Sequence, residues 1–227
     1  GFGASLAITQ DQIFVGASGN DGVGEDSGAV YVYQRVQDEW LQIQKLVSLN
    51  TGIGLGVEAT IGGQFGSSVA VAENTLLVGS PGDNVDANRV RVGAVHVFTR
   101  DANTGVWSGQ SVLRDVAEGQ NKDGFGRAVA VHQDRALVGA PSSLGGVGSA
   151  YLFTRDNGGW ALTKRFQPAD SFGQVRFGSG VALDGTNLLV SAPLDDLTVP
   201  GGAFGSVYIY GQEANSMWTQ TEKLTLS

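Results

Sequence analysis

One phrase recurs four times along this 227-residue chain. It runs Phe-Gly, a strand of small residues, an apolar strand closing near Gly-Ala-Pro, an aromatic strand, then Trp. Phe2-Gly3, Phe65-Gly66, Phe125-Gly126 and Phe177-Gly178 open the copies. Trp40, Trp107, Trp160 and Trp218, the only tryptophans, stand at equivalent places. A repeat of roughly 50 to 60 residues marks a propeller or solenoid, in which each unit buries its apolar faces against its neighbours. The copies span about 2–64, 65–124, 125–176 and 177–227, and together they read as one domain.

Aligned, each copy yields four strands. Strand one is Ser5–Ile8, Ser68–Val71, Ala128–Val131 and Gly180–Leu183, small and β-branched as suits an inner strand beside a crowded axis. Strand two is Ile13–Val15, Leu76–Val78, Ala136–Val138 and Leu188–Val190, unbroken apolar runs that predict cover on both faces. Strand three is Ala29–Tyr33, Ala94–Phe98, Ala150–Phe153 and Ser206–Tyr210, β-branched and aromatic. Strand four starts at the Trp and turns polar, as in Trp40–Leu46 and Trp218–Leu224, which blunts an outer sheet edge. Short turns such as Ala72–Thr75 and Asp184–Asn187 join strands one and two as hairpins. The expectation is an all-β propeller with four blades of four antiparallel strands, either a closed four-bladed ring or part of a larger ring.

Phe-Gly opening each copy, with Gly16-Ala17-Ser18, Gly79-Ser80-Pro81, Gly139-Ala140-Pro141 and Ser191-Ala192-Pro193 closing strand two, resembles the FG-GAP repeat of integrin α-subunit propellers and bacterial surface proteins. The Trp followed by a Gln/Lys-Leu ending, and the lack of Cys, resemble the bacterial members more. The resemblance implies an extracellular or cell-surface location and a ligand-binding loop face. Two departures stand out. The family's Asp-rich calcium loop before strand two is replaced by the short turns, which hold too few carboxylates for the six to eight oxygens calcium takes. The family also commonly closes seven blades, whereas four copies stand here.

Composition removes several function classes. A formal charge of −8 disfavours nucleic-acid and anionic-membrane binding, which need clustered Lys and Arg. No apolar run is long enough to span a bilayer, and no signal-peptide pattern opens the chain, which reads as a mature form or an excised piece. The absence of Cys excludes disulfides, thiolate nucleophiles and Cys-ligated zinc.

Antiparallel order sends the two-three and four-one connections to one end of the blades. Those connections are long and variable, which is where function concentrates on a rigid scaffold. Asn20, Asp21, Glu25 and Asp26 crowd one loop, Asp83, Asn84 and Asp86 the next, and Asp195-Asp196 the fourth. They read as a recognition patch or cation site, or as solvated turn residues that accept backbone hydrogen bonds. No cofactor is expected, with calcium at these loops the exception to test.

Other chemistry is thinly supplied. His96 stands where other copies have Tyr31, Tyr151 and Tyr208, and reads as their structural stand-in. His132 lies in a turn without a Ser partner, so a catalytic triad has no basis. Gly54-Leu55-Gly56 precedes no helix that could hold a phosphate. The equivalent placing of the four Trp reads as packing rather than sugar stacking. The reading is a non-catalytic binding or scaffold module for a protein or glycan ligand. The alternatives are a propeller enzyme acting on polysaccharide or peptide, and a carbohydrate-binding lectin. Self-association, or further blades completing a larger ring, is a further expectation.

Overall fold

The computed structural model describes residues 1–21, 25–49, 62–84, 91–115, 122–157, 159–170, 173–195 and 204–226. They form four sheets, each of four antiparallel strands in chain order. Sheet one holds β1 (Phe2–Ile8), β2 (Gln12–Ala17), β3 (Ala29–Val36) and β4 (Glu39–Leu46). Sheet two holds β5 (Ser68–Ala72), β6 (Thr75–Ser80), β7 (Ala94–Arg100) and β8 (Trp107–Leu113). Sheet three holds β9 (Ala128–His132), β10 (Arg135–Ala140), β11 (Ser149–Asp156) and β12 (Gly159–Phe166). Sheet four holds β13 (Val181–Asp184), β14 (Asn187–Ala192), β15 (Ser206–Gln212) and β16 (Trp218–Thr225). The one helical element, α1 (Ser143–Gly146), is a single turn whose Leu144 and Gly145 take left-handed dihedrals. The all-β blade architecture expected from the repeat is what the chain adopts.

The sheets pack in series, with the first strand of each beside the first strand of the next: β1 by β5, β5 by β9 and β9 by β13. Three apolar clusters fill the interfaces. Phe14, Val30, Val32 and Leu46 of sheet one meet Phe65, Leu76, Val78 and Phe98 of sheet two. The far side of sheet two, with Leu77, Val95, Val97 and Leu113, meets Phe125, Val138 and Tyr151 of sheet three. Leu137, Leu152 and Phe166 then meet Phe177, Val190 and Tyr208 of sheet four. In the two inner sheets strand two is buried on both faces because β6 and β10 each serve two clusters at once, which is why their residues carry no polar alternation; β14 in sheet four serves one cluster and alternates in burial.

Three of the four Phe-Gly pairs are interface wedges. Phe65, Phe125 and Phe177 are almost wholly buried and stand edge-on to aromatic rings of their own strand three, with centroids 5.1, 5.2 and 5.2 Å from His96, Tyr151 and Tyr208. The following glycines hold φ of +87°, +89° and +93°, a left-handed conformation that a side chain would strain. That conformation lets the Gly66 and Gly126 amides return to their own strand two, at Gly79 and Gly139. Their carbonyls meanwhile accept the Ser5 and Ser68 hydroxyls of the preceding sheet, at 2.7 and 2.8 Å. A Cβ on Gly16, Gly79 or Gly139 would lie 2.0–2.1 Å from the incoming glycine's carbonyl oxygen, so only glycine admits the contact.

Polar pairs lock the outer rim. Gln44 brackets the backbone of Trp107, donating to its carbonyl at 2.7 Å and accepting its amide at 3.0 Å, while the indole N–H donates to Gln12 at 3.0 Å. Lys164 donates to the Trp218 carbonyl at 2.7 Å in the equivalent place. Arg100 reaches back to Asp11 at 3.1 Å and Arg155 to Thr75 at 3.1 Å. Trp107 and Trp218 are buried and Trp160 partly so, each facing a preceding sheet, in keeping with a packing role. Trp40, which has no preceding sheet, is exposed.

Among the described residues no apolar cluster joins sheet four to sheet one. Phe2 is 63% exposed where its three equivalents are buried, and Leu6 and Ile8 are exposed where Val69 and Val71 pack inside. Among the described residues the array thus presents two exposed end faces, one on sheet one and one on sheet four. Replacing Phe125 or Phe177 by Ala is expected to cost about 3–5 kcal/mol. Phe2→Ala is expected to cost below about 1 kcal/mol, the range of exposed positions. Urea unfolding of the three variants checks this, and equal losses would contradict the wedge assignment.

Candidate functional site

The two-three loops leave strand two through a shared backbone turn. The amides of Asn20, Asp83 and Asp195 donate to Ala17, Ser80 and Ala192, and their carbonyls accept the amides of Gly28, Gly93 and Gly205 at 2.9, 2.9 and 3.1 Å. In sheet three the Gly148 amide goes to the Ser143 carbonyl at 3.0 Å, which places Ser143 in the same role. These four residues root the loops.

Their side chains turn inward to a polar clasp built from three strands. Asn20 donates to the Tyr31 hydroxyl at 3.2 Å and accepts Lys45 at 3.2 Å. Asp83 accepts Ser80 at 3.0 Å, His96 Nε2 at 3.1 Å and Arg114 at 3.4 Å. Asp195 accepts the Tyr208 hydroxyl at 2.6 Å and lies 3.1 Å from Lys223. In sheet three Ser143 donates to Ser149, which also accepts Arg165, and the Tyr151 hydroxyl hydrogen-bonds Asp115. Lys45, Arg165 and Lys223 each lie over the ring of their strand-three tyrosine, at 5.6, 5.4 and 4.9 Å from its centre.

His96 fits this pattern as a tyrosine substitute. Its Nδ1 accepts the Leu49 amide at 3.3 Å, which leaves the ring proton on Nε2 for Asp83. The ring is fully buried against Phe65. The structure thus supports the reading of His96 as a structural stand-in.

The acidic positions named from sequence divide into two kinds. Asp83 and Asp195 are buried, and Asn20 is partly so, all held in the clasps. Asp21, Glu25 and Asp26 are exposed and Asn84 is half-buried, one step or more beyond the roots. Asp21 Oδ1 accepts the Asp26 amide at 2.9 Å and Asn84 Oδ1 accepts the Arg91 amide at 2.8 Å, so both also shape their own loops. Asp86, Asp196 and Gly54–Gly56 lie outside the described residues. Among the described residues no three His, Asp or Glu side chains converge as a metal cage. Sequence reading did not single out Arg114, Lys223 or Tyr208 as clasp members. The available signal was the recurrence of Lys45, Arg165 and Lys223 at one position of strand four, opposite the tyrosine of strand three.

Burial has electrostatic consequences. It pushes the phenols of Tyr151 and Tyr208 far above their ordinary range, with the hydrogen bonds to Asp115, Asp195 and Asp170 adding to the shift. Tyr210 is pushed up to about 12, by burial first and the Asp170 charge second. The Lys223 hydrogen bond holds the Asp170 carboxyl below its usual value, against the opposing effect of burial. Lys223 itself is partly desolvated, which opposes its charge, but hydrogen bonds to Asp170 and Asp195 outweigh that and raise it.

Two predictions come from this arrangement. Asp83→Ala leaves His96 and Arg114 buried without their acceptor and is expected to cost about 3–5 kcal/mol. Asp21→Ala is expected to leave stability unchanged, and thermal melts compare the two. A tyrosine whose folded pKa is raised contributes fully below its unfolded value near 10 and loses that contribution as pH rises above it. Stability should therefore hold to about pH 10 and then fall by about 1.4 kcal/mol per pH unit for each buried phenol. Tyr210→Phe should flatten that alkaline limb. It should also stabilise the fold near neutrality, because the Tyr210 hydroxyl is buried with no hydrogen-bond partner among the described residues.

Comparison with known families agrees with the geometry. The family model described as FG-GAP repeat matches residues 1–33, 58–98, 107–153 and 160–210, each stretch covering most or all of the first three strands of one sheet. No curated protein matches the chain. With the match covering well over half of its length and three of its four Phe-Gly pairs acting as interface wedges, the chain belongs to the FG-GAP repeat family.

Proposed function

We propose that this FG-GAP propeller is a non-catalytic binding and scaffold module that takes a protein or glycan ligand on the face formed by its two-three and four-one loops. One observation carries the reading. Polar clasps root the two-three loops, so the side chain just beyond a root, such as the exposed Asp21, is presented on a rigid stem. Asn20 and Asp83 are held; Asp21 is displayed, and Asn84 stands half-exposed. Preorganised loops lose less conformational entropy on binding, so a rigid root favours recognition.

The opposite end offers less to a ligand. Its one-two turns are tight, with Ala72 paired to Thr75 and Asp184 to Asn187. Side chains there are spent on sheet-to-sheet contacts, as with Asp11 and Arg100. A surface whose polar groups are already paired gains little from a partner.

The ligand is proposed to be basic or bridged by a cation, since Asp21, Glu25 and Asp26 cluster on one loop. No resident cofactor is required by this reading, and the setting proposed is the cell surface or extracellular space, in adhesion. Capture of glycans and proteins on the immobilised domain tests it. Asp21→Lys with Glu25→Lys should weaken capture at least about tenfold, a loss of roughly 1.4 kcal/mol, without changing the melting temperature. Substitutions at Gln10, Asn74 or Gln133 in the opposite turns should have no effect. EDTA should leave the melting temperature unchanged. Cleavage of a captured glycan or peptide, or sensitivity confined to the short turns, would overturn the reading.

A further inference from the structure

Within the chain a Phe-Gly plugs a recess on the preceding sheet three times. The amides of Phe65, Phe125 and Phe177 donate to the carbonyls of Ser27, Val92 and Val147 at 3.1, 3.0 and 2.9 Å. Gly28, Gly93 and Gly148 pair with those same phenylalanines in parallel. The rings then pack on Val30 with Leu46, on Val95 with Leu113, and beside Ala150 with Phe166.

Sheet four carries the same recess as an open cleft of about 330 Å³, lined by Ser191, Phe204, Gly205, Ser206, Val207 and Leu224 among others. Each lining residue has its interior counterpart. Phe204 follows Ser27 and Val92 as the residue whose carbonyl takes a Phe amide, and Gly205 keeps their glycine's left-handed φ at +78°. Leu224 is 46% exposed, whereas Leu46 and Leu113 at the same position are 4% exposed beneath a Phe-Gly wedge. The Ser206 hydroxyl lines the cleft, buried and with no hydrogen-bond partner among the described residues. At the other end of the array Phe2 is exposed, with Leu6 and Ile8 beside it. This chain therefore carries both halves of a contact that it makes three times internally, and its own Phe2 is not seated in its own recess.

We propose that Phe2-Gly3 of one copy docks into the Gly205 recess of a second copy, repeating the interior contact between molecules head to tail. Ser191 sets its strength. It stands where Gly16, Gly79 and Gly139 stand, and a Cβ at those glycines falls 2.0–2.1 Å from the incoming carbonyl oxygen. The incoming Phe-Gly must therefore ride farther out than in the interior, so the contact is weaker and reversible. Ser5 and Ser68 supply a hydroxyl to that carbonyl in the first two interfaces, but Ala128 supplies none in the third, so the hydroxyl is dispensable. A heterologous contact of this kind forms a ring of copies if its rotation closes and a filament if it does not.

Sedimentation velocity over a concentration series tests the proposal. The wild-type chain should associate reversibly, and either Phe2→Ser or Leu224→Arg should leave a folded monomer by circular dichroism. The equimolar mixture of those two variants retains one working wedge and one working recess, and should stop at a dimer. Ser191→Gly should restore the interior depth and tighten association about tenfold. Monomer at every concentration for both wild type and Ser191→Gly would overturn the proposal. So would association that survives both Phe2→Ser and Leu224→Arg, or a mixture that grows beyond a dimer. The loop-face reading rests on other residues and stands or falls separately.

Discussion

The close approach of each Phe-Gly to the strand-two glycine of the preceding sheet holds the array together. It is a contact of backbone on backbone, in which a left-handed glycine turns its amide to its own sheet and its carbonyl to the neighbour's. A dipeptide so placed does two jobs. The phenylalanine brings a large apolar surface into the interface. The glycine lets the sheets come close enough for that surface to be covered. Everything farther out, from the Gln44 bracket on Trp107 to the Arg100 reach to Asp11, relies on the spacing set here.

The polar clasps use what the interface leaves over. The strand-three tyrosine or histidine packs its ring beside the wedge, and its polar tip emerges at the loop end of the blade. A buried hydroxyl or imidazole needs a partner. Asn20, Asp83 and Asp195 supply one; Arg114 and Lys223 balance the two carboxylates, and Lys45 donates to the neutral Asn20 amide. Rooting the loops thus follows from satisfying a packed aromatic ring, and in sheet one the exposure of Asp21 follows from the rooting of Asn20. The Ser143 variant in sheet three replaces the carboxylate with hydroxyls, and Tyr151 turns to Asp115 instead.

Much of the blade was legible in residue order. Strand two of sheet two could be recognised as doubly covered because Leu76-Leu77-Val78 has no polar member, and strand four as an edge because Trp218–Leu224 turns polar after its Trp. His96 could be read as a tyrosine substitute because the repeat supplied three controls. Asp83 and Asp195 were grouped with Asp21 because the first, second and fourth of these loops read as acidic turns. Their burial depends on His96, Arg114, Tyr208 and Lys223, which reach them from strands 13 to 31 residues away. Charge in a loop does not reveal which way a side chain points, since that is decided by partners on other strands.

The sequence by itself determined the four-strand blade, its repetition and its wedge, because each rests on local periodicity and on a glycine that only a few backbone conformations require. Tertiary structure alone decided which of the repeated positions are satisfied. Phe2 and Phe65 are the same residue in the same motif, yet one is exposed and the other buried, because burial needs a preceding sheet. Leu46 and Leu224 differ for the mirror reason, since sheet two covers Leu46 and no described sheet covers Leu224. A repeat encodes both faces of every unit equally, and only the packed array shows which two remain at its ends.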